Sequence, residues 1–332
     1  MDYIKEITIK EAAFSILDNN SDDIVFSSSN LELDEESYFY LYKHMIKSLK
    51  DEELKYSLFN KESDILDLKN KYFNSDISLL DFGKHVSKKL FTIMKQKEDI
   101  ESNDLLVALI ETEYGNFLSI LKFDYVKNYV HNIEFEQENM KLSVSPKYNS
   151  LPSVTQKLSY CAFIKEETNE YDVLVINKNK EDDYFLSNFL DCYVIENDRD
   201  KTKKLYKAVD KFTKKNLKDE VEESKKVRNA LVKKLKEDEE IDIREVSKEL
   251  FKEDIQADFS SFIKQEGVDE KIKIDKEWTE KKLKRVRLKV DKDIDVYLDE
   301  NSYDNKERFE VKRQGDGYIS ILIKGVKNYE EK

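Results

Sequence analysis

Glycine, proline and cysteine are scarce in this 332-residue chain, which contains six Gly, two Pro and two Cys. A phosphate-cradling loop of the P-loop or dinucleotide-binding type needs closely spaced glycines before a helix, and no segment of the sequence provides them. Cys161 and Cys192 are too few for a disulfide framework or a zinc site, and the apolar runs around them predict buried thiols. These absences exclude the common nucleotide-binding loops and disulfide-stabilised scaffolds.

Histidine is equally scarce, and His44, His85 and His131 stand apart without an HExxH or Cys/His pattern. An isolated histidine is more often structural or exposed than catalytic. Pairs of Asp and Glu occur throughout the chain, so they single out no site. We therefore expect no enzymatic activity, no bound metal and no cofactor. A metal nuclease stays open as an alternative, because scattered carboxylate ligands need no contiguous motif.

Long apolar runs are also absent. No segment approaches the roughly 20 apolar residues that a membrane-spanning helix requires. The first residues lack the basic start, apolar centre and small-residue cleavage site of a secretory signal. We therefore expect a cytoplasmic protein with no membrane partner. The 39% apolar fraction suffices for folded cores, and 332 residues exceed what one core usually supports, so the length predicts two domains.

Arginine is absent from the first 198 residues, since all seven Arg lie at or beyond Arg199. Residues 1–150 carry 18 Lys against 28 Asp and Glu, whereas residues 199–236 carry 15 Lys and Arg against six Asp and Glu. Residues 281–289 add six basic side chains and no acid. The chain therefore combines a net charge of -13 with concentrated positive charge in its second half, and such local charge governs what docks there.

Hydrophobic periodicity predicts an α+β fold, with an acidic domain at residues 1–198 and a basic domain at residues 199–332. In the first domain, β-leaning runs predict two hairpins of one antiparallel sheet with flanking helices, at residues 104–112, 117–123, 160–165 and 171–177. A short strand is expected at residues 4–9. The dense apolar segment 184–195 predicts a packed helix.

The second domain is expected to begin with helices and to end in a small antiparallel sheet. Its helices are predicted at residues 202–218, 221–236, 245–251 and 259–265. Its strands are predicted at residues 284–290, 294–298, 309–312 and 318–324. The last hairpin is expected to turn at residues 314–317, which contain an Asp-Gly dipeptide.

Several segments resemble, in order, the bacterial nucleoid-associated protein family that includes YejK, also called NdpA. The likeness is strongest over residues 151–326, and the segments that carry it are LPSVTQKLSYCAFI (151–164), YDVLVINK (171–178), YFLSNFLDCYVIENDRDKTKKLYKAVDKFTKKNL (184–217), EIDIREVSKELF (240–251), DKEWTEKKLKRVRLKVD (275–291) and DGYISILIKG (316–325). The resemblance implies a non-enzymatic protein of the cytoplasm and nucleoid. It also implies binding of double-stranded DNA without strong sequence preference and a link to type II topoisomerase subunits.

Charge placement, rather than the resemblance, indicates which residues would contact DNA. One face of the helix that begins near residue 202 is rich in lysine, and the candidates on it are Lys203, Lys204, Lys207, Lys211, Lys214 and Lys215. Asp210 is the only acid within this lysine stripe, whereas a merely solvated face usually mixes both signs. Lysine at such a face can neutralise backbone phosphates without reading sequence. A solvated amphipathic helix remains the alternative.

Arg285 and Arg287 are supporting candidates in a predicted strand whose charged face comprises Lys282, Lys284, Arg285, Arg287 and Lys289. Such a strand can follow a phosphate backbone. The alternative is an ordinary strand whose basic face pairs with the acidic stretch 291–300. Trp278, the sole tryptophan, is expected in the core, with stacking on a ligand as the minority interpretation.

A protein-interaction adaptor or DNA mimic is the competing function. The acidic first domain would then bind a basic partner such as a topoisomerase subunit, or act in phage defence. Continuous positive charge on the second domain favours DNA binding, whereas positive charge paired with acids favours the adaptor. A homodimer is also expected, because two weak phosphate-binding surfaces gain from being presented together.

Overall fold

The computed structural model describes residues 3–97, 99–136, 139–167, 170–179, 183–217, 221–299, 302–303, 305–314, 318–328 and 330. The chain divides into two compact units, Asp2–Glu196 and Asn197–Lys332, here called the first and second units. Helices and antiparallel sheets occur together, so the predicted α+β class is confirmed.

The first unit is built on one large sheet with helices on its two faces. Its strands are β1 (Ile7–Leu17), β2 (Val25–Phe26), β3 (Lys55–Phe59), β4 (Asn103–Thr112), β5 (Gly115–Asp124), β6 (Val126–Glu136), β7 (Asn139–Ser150), β8 (Tyr160–Lys165), β9 (Val173–Asn177) and β10 (Cys192–Ile195). Its α-helices are α1 (Glu35–Leu49), α2 (Asp64–Phe73) and α3 (Leu79–Gln96). A π-helix, Tyr184–Leu190, precedes β10.

Eight of these strands form the sheet in the order β10-β3-β9-β8-β5-β4-β1-β2, and every pair is antiparallel. The two predicted hairpins are present, as β4–β5 and β8–β9, and they adjoin through β5 and β8. β1 is longer than the expected strand because it continues past a register shift between Ile9 and Glu11 and pairs along β4 as far as Leu17.

Helix α3 packs on one face of the sheet. Its first turn is fixed by a capping box in which the Ser78 hydroxyl accepts from the Asp81 backbone N–H while the Asp81 carboxylate accepts from the Ser78 N–H. Leu90 and Met94 follow at helical spacing and are fully buried with Phe82 in the main core of this unit. Hydrophobic burial is therefore what fixes this helix on the sheet.

Helix α1 covers the opposite face of the sheet. The evidence is that successive strand residues point to opposite sides, and that neighbouring residues of β8 meet different helices. The Ser48 hydroxyl of this helix lies 3.4 Å from the Cys161 Sγ atom, whereas the next residue, Ala162, belongs to the core beneath α3. The predicted burial of Cys161 is confirmed, and burial raises the pKa of its thiol to about 12.

The helix expected at residues 184–195 is only partly correct. The π-helix ends at Leu190, and Asp191 adopts a left-handed conformation with a φ of 54°. The following Cys192–Ile195 segment pairs antiparallel with β3 as strand β10. Its β-branched and aromatic residues favour a strand, so the apolar run contains two elements, and the sequence pattern alone did not separate them.

The sequence analysis missed a long hairpin formed by β6 and β7, here called the β-arm. Its strands pair with each other over ten residue pairs, from Val126↔Ser150 to Glu136↔Asn139. In the described residues neither strand pairs with any other strand. The hairpin was missed because its strands alternate apolar and polar residues without the dense apolar character of β4 and β5.

The second unit consists of helices followed by two separate hairpins. Its helices are α4 (Asp198–Asn216), α5 (Val221–Glu237), α6 (Ile243–Leu250), α7 (Glu253–Gln265) and α8 (Lys276–Lys282). Its strands are β11 (Glu240–Asp242), β12 (Lys271–Lys273), β13 (Arg285–Val290), β14 (Ile294–Asp299), β15 (Phe309–Arg313) and β16 (Ile319–Ile323). The turn predicted at residues 314–317 falls largely outside the described residues.

A separate core holds the second unit together. Phe212 of α4 packs edge-on against Phe251 and Phe259, with ring centres 5.2 Å apart in each case. Trp278 is 8% exposed and belongs to the same core, so the structural interpretation of this tryptophan is the one that its burial supports.

The strand expected from residue 284 begins at Arg285, and Lys282 does not belong to it. Helix α8 occupies residues 276–282 because the Asp275 carboxylate caps it by accepting from the Trp278 backbone N–H at 2.8 Å. The buried Trp278 ring anchors the same turn in the core. The predicted charged strand face is therefore shorter than expected and excludes both Lys282 and Lys284.

Candidate nucleic-acid interface

Helix α4 carries the lysine stripe, and both its start and its orientation follow from local interactions. The Asn197 side chain caps the helix by accepting from the Asp200 backbone N–H at 2.9 Å. Leu205, Val209 and Phe212 recur at helical spacing and are buried, which turns the opposite side of the helix toward solvent. Arg199 is 5% exposed and so does not belong to the basic surface.

The six lysines of the stripe are not equivalent. The Lys211 Nζ atom lies 2.5 Å from Glu266 Oε1, and the Lys214 Nζ atom lies 2.7 Å from Asp210 Oδ2. Lys207 and Lys215 are exposed, and within the described residues neither contacts a carboxylate. Among the described residues, no carboxylate therefore neutralises the charge of either lysine.

Lys203 and Lys204 lie at the less exposed edge of the stripe, and both are half-buried. The Lys204 side chain runs close to Gly267, at the end of α7, where a methyl group in place of the Gly267 hydrogen would lie 3.4 Å from Nζ. Both lysines make further interactions within the protein. The structure thus places all six lysines on one helix. Four of them are exposed, and Lys203 and Lys204 are half-buried against neighbouring elements.

A cleft of about 200 Å³, here called the α4–α5 cleft, opens between these two helices. Three basic side chains line it, namely Lys214, Lys225 and Arg228. The Lys225 Nζ atom lies 4.3 Å from the centre of the Tyr303 ring, and the Arg228 guanidinium carbon lies 5.8 Å from it. An aromatic face holds both cations at one wall of the cleft.

The α4–α5 cleft also contains a hydroxyl without a partner. Thr213 is 7% exposed and lines the cleft, and among the described residues its Oγ1 atom has no hydrogen-bond partner. Among the lining residues that the structure describes, Asp210 is the only carboxylate, against three cations. A positively charged cleft with an unused hydroxyl is suited to an anionic oxygen such as that of a phosphate.

Elsewhere on α5 the positive charge is balanced by acids. Lys234 lies 3.0 Å from Glu249, and the hydrogen bond to this carboxylate raises the pKa of Lys234. Lys226 and Lys233 also face carboxylates, those of Glu223 and Glu237. Acids thus balance Lys226, Lys233 and Lys234, and the positive charge of α5 is concentrated at the cleft.

Strand β13 pairs with β14 in the register Arg285↔Asp299 and Lys289↔Asp295. The Arg285 Nε atom lies 3.8 Å from Asp299 Oδ1. The Arg287 backbone lies opposite Tyr297, but its side chain is outside the described part of the structure. A basic strand therefore pairs with an acidic one, as the alternative interpretation expects. Among the described residues, no contact joins Arg285 to the lysine stripe.

A family model described as nucleoid-associated protein YejK matches residues 15–331 of the chain. The chain belongs to this family. The YejK family resemblance seen in the sequence is thus confirmed over nearly the whole length. No curated protein matches the chain.

Other site types are not seen in the described part of this family member. Among those residues no group of three or more His, Cys, Asp or Glu side chains is arranged to hold a metal ion. None of the described helices is long and apolar enough to cross a membrane. The basic surface of the second unit is therefore the candidate nucleic-acid interface.

Lys225 and Arg228 belong to the basic stretch 199–236, but the sequence analysis did not select them as site residues. The signal that would have selected them is Tyr303, which lies 78 positions after Lys225 and whose backbone oxygen accepts from the Lys225 ammonium at 3.2 Å. No local pattern in the sequence predicts a contact across that distance along the chain.

Proposed function

We propose that this member of the YejK family binds double-stranded DNA through its second unit, without strong sequence preference. One observation carries the proposal: Lys214, Lys225 and Arg228 converge on a cleft whose described residues include one carboxylate and a buried hydroxyl for which those residues offer no hydrogen-bond partner. Lys207 and Lys215, exposed on the same helix as Lys214, extend the positive surface beyond the cleft.

Phosphate contacts of this kind are independent of base sequence, because they neutralise the backbone and release its condensed counterions. The overall charge of -13 opposes DNA binding at long range, so local positive charge must outweigh it. The residues that we propose as contacts are those selected from the sequence, Lys203, Lys204, Lys207, Lys211, Lys214, Lys215, Arg285 and Arg287, together with Lys225 and Arg228 of the cleft.

These residues are expected to contribute unequally. Lys211, Lys214 and Arg285 would have to exchange a carboxylate partner for a phosphate, so each would gain less than a lysine that faces only water. Lys207, Lys215, Lys225 and Arg228 are therefore the main contacts in this proposal.

We further propose that the protein has no enzymatic activity, requires no metal or cofactor, and resides in the cytoplasm at the nucleoid. A homodimer would present two basic surfaces to one duplex and would strengthen weak binding through effective concentration. The division into acidic and basic domains near residue 198 is proposed to separate protein contacts from DNA contacts.

An adaptor for a DNA-processing protein, such as a type II topoisomerase subunit, is the second candidate function. The observation that favours it is the pairing of many basic side chains with acids, among them Lys211, Lys234 and Lys281. In that function the acidic first unit would bind the partner.

The deciding experiment is a titration of the full-length protein with duplexes of unrelated sequence at several salt concentrations. DNA binding predicts similar affinity for all duplexes and a linear fall of log affinity with log salt concentration. In the triple variant K207E/K211E/K214E the affinity should fall for every duplex, while folding should persist because these side chains are exposed. Unchanged affinity in a folded triple variant would show that the stripe is only a solvated helix face.

A further inference from the structure

The β-arm of the first unit has two chemically different faces. Cross-strand partners on one face are Tyr129↔Pro146, His131↔Val144 and Ile133↔Leu142, with Met140 and Tyr148 on the same side. We call this the apolar arm face. On the other face Val130 lies opposite Ser145, and the Asn132 side-chain amide donates to the Ser145 hydroxyl at 2.7 Å.

The apolar arm face is unusually open to solvent. Val144 is 71% exposed, Leu142 64% and Ile133 50%, and Tyr129, Met140 and Tyr148 are exposed to a similar degree. Six large side chains, each presenting on the order of 100 Å² of apolar surface, amount to roughly 600 Å². A single exposed apolar residue needs no explanation, but a contiguous area of this size is at the upper limit for monomers and marks an interaction surface.

A free two-stranded hairpin is also marginal in water, because two strands bury too little apolar surface to hold themselves together. Its base is well anchored: the Tyr125 hydroxyl donates to Asp104 at 2.7 Å, and the Tyr40 hydroxyl donates to the Pro152 backbone oxygen at 2.8 Å. The base holds the arm in place, but among the described residues neither strand of the arm pairs with a third strand, and the outer part rests on the pairing of β6 with β7 and on the Asn132–Ser145 hydrogen bond. A partner that covers the apolar arm face would supply that stabilisation.

Apolar surface continues at the base of the arm. Leu151 directly follows β7 and lines a groove of about 600 Å³ whose other apolar residues are Phe14, Leu31, Leu33, Tyr40 and Leu41. Glu32 and Glu36 also line this groove. Two copies of the arm face alone would bury roughly 1,200 Å² in total, the lower end of the range for specific protein interfaces.

We infer that the apolar arm face packs against the same face of a second copy of this chain, so that two hairpins form a four-stranded β-sandwich. Charge selects this partner. Residues 1–150 carry 28 acids against 18 Lys, so most surfaces of two first units would repel each other. The described side chains of the apolar arm face include no carboxylate, so two copies can meet there without the repulsion between acids that other surfaces of the first unit would cause.

The geometry of such a contact is ordinary. Two sheets pack face to face about 10 Å apart with their side chains interleaved. A two-fold axis pairs one surface with itself, so a surface used in this way must be self-complementary, which a neutral apolar face satisfies. Lys127, whose ammonium lies over the rings of Tyr129 and Tyr148, stands at the base of the arm beside these apolar side chains. The proposed dimer surface lies in the first unit and does not depend on DNA binding by the second.

The test compares two valines on opposite faces of the arm. The mass of the full-length protein is measured by light scattering or sedimentation at micromolar concentrations, and the expected value is that of two chains. V144E should raise the dimer dissociation constant by about 100-fold or more, because the axis brings buried like charges together. V130E makes the same change on the other face and should leave the mass unchanged.

A cross-linking experiment identifies the surface directly. Cys161 and Cys192 are buried, and burial raises the pKa of each thiol to about 12, so the native cysteines should not react. A bis-maleimide reagent with a spacer of about 10 Å, the distance between packed sheets, should join two V144C chains, whereas V130C should stay a single chain. A one-chain mass for the unaltered protein, or equal cross-linking of V144C and V130C, would overturn the inference and leave the face to a different partner.

Discussion

The ammonium of Lys225 lies 4.3 Å above the Tyr303 ring and donates to the Tyr303 backbone oxygen at 3.2 Å. This pair joins α5 to the segment between β14 and β15 and places two cations, Lys225 and Arg228, on one aromatic surface. A lysine side chain that is already held in place loses less conformational entropy when a ligand binds. The Lys225–Tyr303 pair therefore pre-positions a cation at the α4–α5 cleft of the proposed phosphate-binding surface.

Removing the Arg228 guanidinium should weaken DNA binding to all duplexes equally. In R228A the slope of log affinity against log salt concentration should become shallower by about one unit, because one phosphate contact is lost. The matched control is K226A, which removes a cation two positions away that is exposed and paired with Glu223. K226A should keep the slope of the unaltered protein, and an equal effect of both variants would argue against a specific role for the cleft.

Lysines of the stripe should differ according to whether an acid already neutralises them. K207A and K215A should each reduce the salt slope by about one unit, since these side chains face solvent without a carboxylate in the described residues. K211A should reduce it less, because Lys211 gives up its contact with Glu266 when it binds phosphate. Affinity titrations of the three single variants at four or more salt concentrations measure this order, and a larger effect of K211A would reverse the argument.

Prediction from sequence worked where one local signal decided the structure. Dense, β-leaning apolar runs predicted β4, β5, β8 and β9, and helical spacing predicted α4, because both signals lie in neighbouring residues of one segment. It failed where one apolar run served two elements, as at residues 184–195, where the left-handed Asp191 divides a π-helix from a strand. It also missed the β-arm, whose exposed apolar side chains are not explained by its own unit.

The candidate site likewise has a part that local sequence signals predict and a part that they do not. That α4 would display lysines could be derived from helical periodicity alone. Which lysines are neutralised depended on Glu266, which lies 55 positions after Lys211, and the aromatic wall of the cleft depended on Tyr303. Contacts of such separation come from tertiary packing, and a single sequence carries no local record of them.

Gly83 should resist the usual stabilising exchange for alanine. It lies inside α3, where alanine is ordinarily better than glycine by roughly 1 kcal/mol. Here a Cβ atom would lie 2.9 Å from the Cγ2 atom of the buried Val107, so G83A should instead destabilise the protein by about 1–3 kcal/mol. Denaturant unfolding measures the change, and the same exchange in a V107A background should be less costly because the obstructing methyl group is gone.

His44 should make the first unit less stable as the pH falls. Its imidazole is 1% exposed and packs edge-on against the rings of Tyr40 and Phe123, and burial, with a smaller contribution from Lys47, lowers its pKa. Between the lowered pKa and the unfolded value of about 6.5, the unfolded chain binds a proton that the folded chain does not. The free energy of unfolding should therefore decrease as the pH falls below about 6.5.

Unfolding in urea at pH 7.5 and pH 5.5 tests this directly. H44L removes the titrating group from its buried site, so its stability should depend less on pH over this interval than that of the unaltered protein. H85Q is the control, because His85 is exposed, and its pH dependence should match the unaltered protein. The interval lies above the range in which carboxylates with lowered pKa, such as Asp51, become protonated. A pH dependence that H44L leaves intact would mean that another group causes the loss of stability in mild acid.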